Sequence, residues 1–375
     1  MKIIFDKKKM LEKLTPAMSA ASNKNTFSTI EGVLIEADTD TYFRISTFDM
    51  EKGVRAEIDG QVLERGSYII NAQKLYQIIK VMPSERITLT VDEKLNATIT
   101  CGTASFSLHA LNGSEFPSFP EMNSIEKIVI KQSTLKNIIN KTSFAIAADD
   151  HRPMLCGGFF KIENKTITTI ACDSYTFAKY EVDCDSDAQI SFIVPGRSLS
   201  ELQKILSDSD DTAEISLSRK HIVVNLNNLM FFSRLIDSEY IDYMKIIPTR
   251  YETEVEINKH DFIESLERAS LVSEDKAISG MKSFVKCSFE DNLLKLSSTS
   301  VNGKVYEEIA CEINGQPIAI GFNCRYLLET LRTASTDKVK LKLISPLMSM
   351  TVFPSDEEAD ENNRFIYLVL PVRME

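Results

Sequence analysis

The residues best suited to catalysis or metal binding are adjacent in the sequence, where two aspartates precede a histidine in Asp149-Asp150-His151. With Asp173, they could ligate a metal ion or form an acid–base pair, because carboxylates and imidazole serve both purposes. The alternative is an exposed loop between domains or at the end of a helix, which needs no special geometry. The spacing alone favours that loop over a catalytic or metal site.

A second candidate is Cys172, which precedes Asp173 and could act as a nucleophile beside a carboxylate. The spacing places no base near it, so a structural thiol is the simpler interpretation. The sequence also lacks the phosphate loops G-x-x-x-x-G-K-[ST] and G-x-G-x-x-G, the G-x-S-x-G elbow and the H-E-x-x-H zinc motif. We therefore expect a protein that is not an enzyme and that uses no metal and no cofactor.

The composition favours a folded protein with several domains. The chain has 375 residues, 43% of them hydrophobic, and its 54 acidic and 43 basic side chains give a net charge of −11. That length predicts two or three domains, and that hydrophobic content excludes a disordered chain. The seven cysteines never form a C-x-x-C pair, which is typical of reduced thiols. With no signal peptide and no run of about 18 apolar residues, we expect a soluble cytoplasmic protein.

The chain repeats itself with a period close to one third of its length. A first helical pattern recurs three times, with matching positions at Met10, Leu14 and Ala17, at Leu135, Ile139 and Thr142, and at Phe262, Leu266 and Ala269. A second helical pattern places Leu75, Leu199 and Leu327 at matching positions. A third match joins residues 106–116, 232–240 and 368–373. Three matches in one order predict three domains, at about 1–125, 126–250 and 251–375.

Between the helical patterns the residues alternate with a period of two, as they do in strands with one buried face. Examples are residues 41–47, 98–101, 222–226 and 338–343. Turn signals such as Asn302-Gly303 and Asn314-Gly315 separate such runs. Each repeat is therefore predicted to be an α+β unit in which two helices pack on antiparallel sheet.

Basic residues are concentrated on the predicted helices. The first helical patterns carry net charges of +2 (6–22), +3 (131–147) and −2 (258–274), and the second carry +2 (71–82), +1 (195–206) and +1 (323–334). The rest of a chain with a net charge of −11 must then carry −18. A polyanionic partner fits this distribution despite the acidic total. The alternative is that exposed helix faces simply favour Lys and Arg as good helix formers, and the acidic third pattern supports it.

Several short runs carry a resemblance to a known family. They are residues 106–117, 171–173, 193–197, 235–248, 320–327 and 370–373. In their order and spacing they make the chain similar, over its whole length, to the bacterial DNA sliding clamp, the beta subunit of the replicative DNA polymerase III holoenzyme. The resemblance implies three repeated clamp domains and a head-to-tail dimeric ring whose helices line a central hole. It also implies a processivity factor that encircles duplex DNA and tethers the polymerase.

The resemblance further implies which residues face DNA and which join the subunits. A sliding ring should contact phosphates and leave base edges alone, since base contacts would hold it at one sequence. The implied DNA-binding residues are Lys24, Arg152 and Arg197, followed by Lys74, Lys80, Lys136, Lys141, Lys204, Arg325 and Arg332. The implied subunit contact pairs an edge strand at Phe106 and Leu108 with Leu271, Val272 and the strand near 300–306. The alternative for Phe106 and Leu108 is an ordinary place in the core of their own domain.

A pocket between the second and third domains, which takes short peptide motifs of the polymerase and the clamp loader, is also implied. Its residues are Leu155, Cys172, Ser174, Tyr175, Thr176, Phe177, Ile241, Lys245, Ile246, Asn323, Tyr326, Ser349, Leu368, Leu370, Val372 and Arg373. The sequence departs from the family where a Thr-Asp-x-x-Arg-Leu run is usual, because residues 172–177 read Cys-Asp-Ser-Tyr-Thr-Phe. Thr176 thus replaces a guanidinium, and the bulkier Phe177 should make the pocket shallower.

Two functions follow from the sequence. The first is a sliding clamp that forms a homodimer, binds duplex DNA without sequence preference, and binds the DNA polymerase III catalytic subunit, the clamp loader and other proteins with clamp-binding motifs. The second is a divergent clamp-fold protein that binds peptides as a scaffold and is not loaded on DNA. The acidic pattern at 258–274 and Thr176 in place of an arginine keep the second function open.

Overall fold

The computed structural model describes residues 1–21, 29–83, 85–120, 126–273, 284–300, 303–360 and 363–374. Lys24, an expected DNA contact, lies outside these residues. The α-helices in this part of the chain are α1 (Lys7–Ala17), α2 (Ala72–Val81), α3 (Gln132–Thr142), α4 (Gly196–Ile205), α5 (Lys259–Ser273) and α6 (Cys324–Thr333). Short 3-10 helices form at Met18–Ala20, Gly113–Glu115, Ser143–Ala145, Pro153–Cys156 and Tyr243–Lys245. No helix in the described ranges is long and apolar enough to cross a membrane.

Strands make up most of the regular structure. Those before residue 150 are β1 (Lys2–Asp6), β2 (Gly32–Ala37), β3 (Tyr42–Phe48), β4 (Lys52–Glu64), β5 (Gly66–Asn71), β6 (Arg86–Val91), β7 (Asn96–Cys101), β8 (Ala104–Asn112) and β9 (Glu126–Lys131). Those of the middle of the chain are β10 (Gly157–Glu163), β11 (Thr166–Cys172), β12 (Thr176–Asp183), β13 (Ile190–Pro195), β14 (Thr212–Leu217), β15 (His221–Leu226) and β16 (Leu229–Arg234). The remainder are β17 (Thr253–Asn258), β18 (Val285–Glu290), β19 (Leu293–Ser300), β20 (Gly303–Gly315), β21 (Ile318–Phe322), β22 (Lys338–Leu343), β23 (Met350–Pro354) and β24 (Arg364–Val369).

Polar side chains fix the starts of three helices. The Asp6 carboxylate accepts a hydrogen bond from the backbone N–H of Lys9 at 2.9 Å, where α1 begins. Asn71 and Asn323 do the same at α2 and α6, where their side-chain oxygens accept from backbone N–H groups at 3.0 and 2.9 Å. Such caps satisfy donors that have no partner within the helix. They therefore fix the residue at which each helix begins, and with it the helix face on which the basic side chains of α2 and α6 lie.

The repeated apolar positions are buried, which confirms the helical pattern predicted from the sequence. In the first helices they are Met10, Leu14, Ala17, Leu135, Ile139, Thr142, Phe262, Leu266 and Ala269, and all lie in the core. In the second helices Leu75, Leu199 and Leu327 are buried as well. Positions three or four residues apart share one helix face, so each of these helices rests its apolar face on the protein interior.

The described chain folds as two compact units. Unit 1 comprises Met1–Lys136 and Arg197–Leu235, and unit 2 comprises Asn137–Gly196 and Ile236–Glu375. The strand order in unit 1 is β1-β6-β7-β8-β5-β2-β3-β4-β16-β15-β14-β9. Because β1 also pairs with β4, the first eight of these strands close on themselves.

Unit 2 is built on a second sheet of the same size. Its strand order is β13-β10-β11-β12-β24-β23-β22-β17-β20-β19-β18-β21. Its pairings are antiparallel, as the alternating sequence patterns predict. The predicted repeat at 126–250 contributes strands to both units, since β9 and β14–β16 belong to unit 1 and β10–β13 to unit 2.

One strand pairing joins the first repeat to the second, and another joins the second repeat to the third. Equivalent positions of the repeats lie opposite each other in both pairings. In unit 1, β16 pairs with β4 so that Phe232 lies opposite Gly53. In unit 2, β24 pairs with β12 so that Leu368 lies opposite Phe177. An apolar cluster forms at each pairing, and the cluster of unit 2 contains most of the side chains discussed next.

A glycine in β2 tests how tightly unit 1 is packed. A Cβ atom added at Gly32 would lie 2.2 Å from Cγ2 of Ile69, whereas one added at Gly303 in β20 would meet nothing within 4 Å. We expect Gly32→Ala to lower the free energy of unfolding by about 1–3 kcal/mol, because a packed interior resists added volume. Urea unfolding of both variants measures this. Gly303→Ala is the matched control, and equal midpoints for the two variants would contradict the packing described for β2.

Candidate functional site

An apolar cluster in unit 2 gathers many of the residues expected in the peptide pocket. Its buried members are Ala147, Leu155, Ile170, Cys172, Phe177 and Leu368, and Ile241 and Ile246 pack against them from a partly buried segment. We call this group the unit 2 cluster. Six of the sixteen expected pocket residues therefore lie together: Leu155, Cys172, Phe177, Ile241, Ile246 and Leu368.

Strand pairing and a covering segment position the unit 2 cluster. Cys172 on β11 lies opposite Phe177 on β12, and Phe177 lies opposite Leu368 on β24. The segment after β16 then covers one side, where the ring of Tyr240 stacks on Phe159 with centroids 4.7 Å apart. Aromatic stacking of this kind adds to the gain from burial alone. The result is a wall of apolar side chains in which Phe177 is fully buried.

The thiol of Cys172 is a structural group in this cluster. Burial raises its pKa, and this effect outweighs the hydrogen bond from the backbone of Ser174. A thiol with a raised pKa is protonated near neutral pH and is a poor nucleophile. The geometry thus favours the structural interpretation of Cys172 over the nucleophilic one.

Asp173 organises the tight turn between β11 and β12. Its Oδ1 accepts hydrogen bonds from the backbone N–H groups of Tyr175 at 2.9 Å and Thr176 at 2.6 Å, and from the Thr176 hydroxyl at 3.0 Å. Ser174 adopts a positive φ of 76° in this turn. Thr176 is only 1% exposed, so its side chain lies beneath the surface rather than lining an open pocket. A carboxylate used in this way serves the turn and is not free for catalysis.

The Asp149-Asp150-His151 run forms an ion-paired loop. Asp150 binds the Arg152 guanidinium through both oxygens, at 2.9 Å to Nε and 3.0 Å to Nη2, and this hydrogen bonding holds the pKa of Asp150 well below its usual range. Nδ1 of the exposed His151 lies 3.3 Å from Oδ1 of Asp150. Within the described ranges, no three His, Cys, Asp or Glu side chains come close enough to hold a metal ion.

Arg152, which the resemblance implies as a DNA contact, lies against a residue of the expected pocket. Its Nη2 donates to the hydroxyl of Ser174 as well as to Asp150. The bidentate pairing with Asp150 holds this guanidinium in place, so a phosphate would have to compete with that carboxylate. The structure thus places Arg152 at the β11–β12 turn, beside residues of the expected peptide pocket.

A second group of expected pocket residues meets at the start of α6. The rings of Tyr175 and Tyr326 stack with centroids 5.4 Å apart. The backbone N–H of Leu370 donates to the carbonyl of Tyr175 at 2.8 Å, and that of Val372 donates to Gly321 at 2.8 Å. Tyr175 and Leu370 remain 51% and 41% exposed, so apolar surface is available beside the unit 2 cluster.

Ser174 and Thr176 lie in the β11–β12 turn and Asn323 caps α6, whereas three further expected pocket residues lie apart from these and from both groups. Lys245 is exposed and its ammonium pairs with Asp242 at 2.8 Å. Ser349 is half-buried just before β23, and Arg373 is exposed near the chain end. No described contact joins these three side chains to the stacked tyrosines or to the unit 2 cluster.

The expected DNA contacts divide into exposed and engaged cations. Lys74 and Lys80 on α2, Arg197 and Lys204 on α4, and Arg325 and Arg332 on α6 are exposed. Some of these carry neighbouring acids, as Lys204 does with Glu201 at 3.1 Å and Arg332 with Glu267 at 2.7 Å. Such surface pairs are weak and exchange readily with a stronger anion. The exposed cations therefore remain suited to phosphate contacts.

Lys136 and Lys141 on α3 are engaged within the protein. Lys136 is mostly buried and pairs with Asp208 at 2.7 Å. The Lys141 ammonium donates to the carbonyl of Thr333 at 2.6 Å, and Lys259 donates to that of Ala334 at 3.0 Å. Burial, and secondarily the charge of Lys259, lowers the pKa of Lys141. Cations stabilise the carbonyl end of a helix, so the Lys141 ammonium stabilises the end of α6.

Each unit also presents a strand with one open edge. Residues 104–109 of β8 pair with β7, and no other described strand pairs with their second edge. Phe106 in this stretch is 40% exposed, and Leu108 is half-buried, so neither has the core position that was the alternative. Residues 303–310 of β20 likewise pair only with β19 among the described strands. Leu271 near the end of α5 is 83% exposed, and Val272 is half-buried.

Three family models match the chain in order. The N-terminal domain of the DNA polymerase III beta subunit matches residues 1–120, the central domain matches 129–242, and the C-terminal domain matches 244–373. The chain belongs to the DNA polymerase III beta subunit family. Membership confirms the resemblance drawn from the sequence and the fold class of three clamp domains. The family is a non-catalytic processivity factor, which confirms that the chain is not an enzyme.

Relatives of this family resemble the chain over its whole length. The beta sliding clamp of Bacillus subtilis is 29% identical over 385 residues and covers 100% of both chains, and that of Staphylococcus epidermidis is 29% identical over 373 residues with 97% of each covered. The crystal structure of the Bacillus subtilis sliding clamp superposes with a TM-score of 0.94 at 27% identity, over 100% of each chain. The Pseudomonas aeruginosa clamp bound to griselimycin has a TM-score of 0.92 at 25% identity, also over 100% of each chain.

Sequence reasoning missed the aromatic side of the unit 2 cluster. Phe159, Tyr240 and Tyr243 pack there, and none was expected in the pocket. A signal was present, because Tyr240 matches Phe116 in the repeat. The hydrogen bond from Arg152 to Ser174 was missed as well, and so was the pairing of Arg152 with Asp150, two residues before it.

The ion pair that anchors α5 to β20 makes stability depend on pH. Arg268 donates to both oxygens of Glu307 at 2.7 Å, and this hydrogen bonding holds the pKa of Glu307 below its usual value. The contribution of this ion pair to the free energy of unfolding is therefore complete above the ordinary carboxyl pKa. It is lost as the pH falls through the lowered pKa of Glu307. We expect Glu307→Gln to be less stable than the parent at about pH 7, with a difference that shrinks toward about pH 3.

Urea unfolding at a series of pH values measures this difference. Glu93→Gln, at an exposed position between β6 and β7, is the control and should follow the parent at every pH. A constant difference between Glu307→Gln and the parent across the series would show that Arg268 does not stabilise the charged carboxylate.

Proposed function

We propose that the protein is a DNA sliding clamp, a processivity factor that encircles duplex DNA as a homodimeric ring and tethers the replicative polymerase through a peptide-binding pocket. The clamp fold, matched over the whole chain, is the observation that carries this proposal. The domain boundaries 1–125, 126–250 and 251–375 are part of the same proposal, as is a cytoplasmic location.

We assign DNA contact to exposed cations on the second helices. They are Lys74, Lys80, Arg197, Lys204, Arg325 and Arg332, and Lys24 joins them on the family resemblance alone. Each can contact a phosphate without reading a base, which lets a closed ring move along the duplex. Lys136, Lys141 and Arg152 are weaker candidates, because Asp208, the carbonyl of Thr333 and Asp150 already hold their charged groups. The acidic remainder of the chain would then face away from DNA.

The two open strand edges support a head-to-tail dimer. The edge at 104–109 belongs to unit 1 and the edge at 303–310 to unit 2, so the two surfaces differ. Contacts between unlike surfaces join subunits head to tail and close into rings when the rotation allows. Phe106, Leu108, Leu271 and Val272 would lie at this contact, and Tyr306, which is 60% exposed, is a further apolar side chain there.

The peptide pocket is assigned to the unit 2 cluster and the tyrosine stack beside it. Buried aliphatic and aromatic walls with a few polar groups suit a short peptide that inserts apolar side chains. Griselimycin bound to the Pseudomonas aeruginosa relative supports a ligand site in this fold. Because Phe177 is fully buried and Thr176 lies beneath the surface, the specificity of the pocket depends on Tyr175, Leu370 and the covering segment.

Charge reversal on the second helices tests the DNA assignment. We expect the triple variant Lys74→Glu, Lys80→Glu and Arg197→Glu to load poorly on nicked circular DNA. The slope of log affinity against log salt should shrink by roughly 2 to 3, since each phosphate contact contributes about 0.9. The matched control reverses Lys94, Arg219 and Lys220, which are exposed in turns outside the helices.

Retention on circular DNA during gel filtration measures loading, and cutting the circle should release the parent protein. A protein that stays bound after the cut would hold DNA by affinity and not by enclosure. Light scattering should give a mass near twice 42.3 kDa for the parent and both variants. A monomer that is never retained on circles would favour the peptide-binding scaffold instead.

A leucine at the rim of the pocket tests the peptide assignment. We expect Leu370→Asp to weaken binding of the polymerase catalytic subunit at least about tenfold, because interface energy is concentrated in a few apolar anchors. Calorimetric titration measures the affinity, and the dimer should be unchanged. Leu63→Asp is the control, since Leu63 on β4 is 48% exposed and Leu370 is 41% exposed. Equal losses in both variants would remove the unit 2 cluster as the binding site.

A further inference from the structure

Unit 1 contains a junction built like the one that holds the unit 2 cluster. Phe48 on β3 lies opposite Gly53 on β4, and Gly53 lies opposite Phe232 on β16. Cys172, Phe177 and Leu368 occupy the same three places in unit 2. The two junctions therefore share one arrangement of strands but differ in the side chains they carry.

The segments that follow the junction strands are also related. Ser114-Glu115-Phe116 after β8 matches Ser238-Glu239-Tyr240 after β16. Phe116 is buried and packs with Leu34 and Phe232, as Tyr240 packs on Phe159 in unit 2. A covering segment with an aromatic anchor is thus present in both units.

A side chain of the covering segment fills the hollow above Gly53. Phe119 stacks on Phe48 with centroids 4.9 Å apart and meets Phe232 edge-on at 5.9 Å. A Cβ atom at Gly53 would lie 2.4 Å from Cε1 of Phe119, so only glycine leaves room for this ring. Phe119 forms an aromatic wall here, where unit 2 has the buried Phe177.

Beside this wall lies a cavity of about 490 Å³. Leu34, Phe116, Met230 and Phe232 give it apolar sides, and Ser114 and Ser118 add hydroxyl groups at its rim. Its volume falls within the range of small-ligand sites, which are apolar clefts with a few well-placed polar groups. We call it the unit 1 cavity.

Arg55 gives the unit 1 cavity its charge preference. Its guanidinium lies 4.8 Å from the centroid of the Phe119 ring, and its Nε donates to the Ser46 hydroxyl at 3.2 Å. Among the described residues no carboxylate pairs with it. Glu36 also lines the cavity, and Arg44, which lies opposite it in the β2–β3 register, pairs with Asp38 and not with Glu36. The cation without a carboxylate partner is thus the Arg55 guanidinium.

We propose that the unit 1 cavity is a second binding site, for a short peptide segment that places an aromatic side chain next to a carboxylate. The ring would enter between Phe119, Leu34 and Met230, and the carboxylate would bind Arg55. Guanidinium–carboxylate bonds are strong and directional, and the aromatic wall accepts a planar group. The site is distinct from the peptide pocket of unit 2, because different residues line the two.

N-acetylphenylalanine is a minimal probe because it has one aromatic ring and one carboxylate. Methyl NMR of the full protein should show shifts at Leu34 and Met230 when the probe is added. N-acetylphenylalanine amide has the same ring without the charge and should bind about tenfold more weakly, as expected for one charge-assisted hydrogen bond.

Two variants separate this site from the peptide pocket. Arg55→Met should lower affinity for the acid about tenfold and leave the amide unchanged, whereas Arg65→Met, at an exposed arginine before β5, should change neither. Ser118→Trp should fill the cavity and abolish the shifts of Leu34 and Met230. Shifts confined to Ile241 and Ile246, or equal binding of acid and amide, would overturn the proposal. Either result leaves the sliding-clamp function untouched.

Discussion

Backbone hydrogen bonding between repeats is the constraint on which the rest of the structure depends. β16 adds to β4 in unit 1 and β24 adds to β12 in unit 2, so each sheet continues from one repeat into the next. Antiparallel addition satisfies N–H and C=O groups that an edge would leave bare. It also sets the registers that place Phe232 opposite Gly53 and Leu368 opposite Phe177. Both apolar clusters form at these pairs, and the covering segments close over them.

The features that sequence patterns predicted are local ones. Phe262, Leu266 and Ala269 recur at helical spacing because they share one face, and all three are buried. Strand pairings between repeats are different, since Phe177 meets Leu368 across half of the chain and no periodicity encodes that choice. The hydrogen-bond partners of side chains in the pocket region could not be predicted from the sequence either. Which donor Ser174 contacts depends on the conformation of two loops, and the loops become neighbours only after the sheet has formed.

A count of charges overstated the positive surface of α3. The pattern at 131–147 carries +3, yet Lys136 is neutralised by Asp208 and Lys141 is used at the end of α6. Both effects follow from folding, which brings acids and helix ends next to particular lysines. The second helices keep more open cations, with Lys74 and Arg197 exposed. Local pairing, and not net charge, therefore decides which helices could meet a polyanion.

The open edges of β8 and β20 have a consequence for how subunits are counted. In the proposed dimer these unlike edges join one molecule to the next, and such a junction by itself sets no limit on chain growth. Closure of the proposed ring after two subunits would then depend on the angle between the two edges of one polypeptide. A substitution remote from both edges that changes this angle would leave each subunit contact unchanged. The subunits would nevertheless assemble into open fibres and not into closed rings. Ring size is thus a property of the interior of each chain and not of the contact that joins the chains.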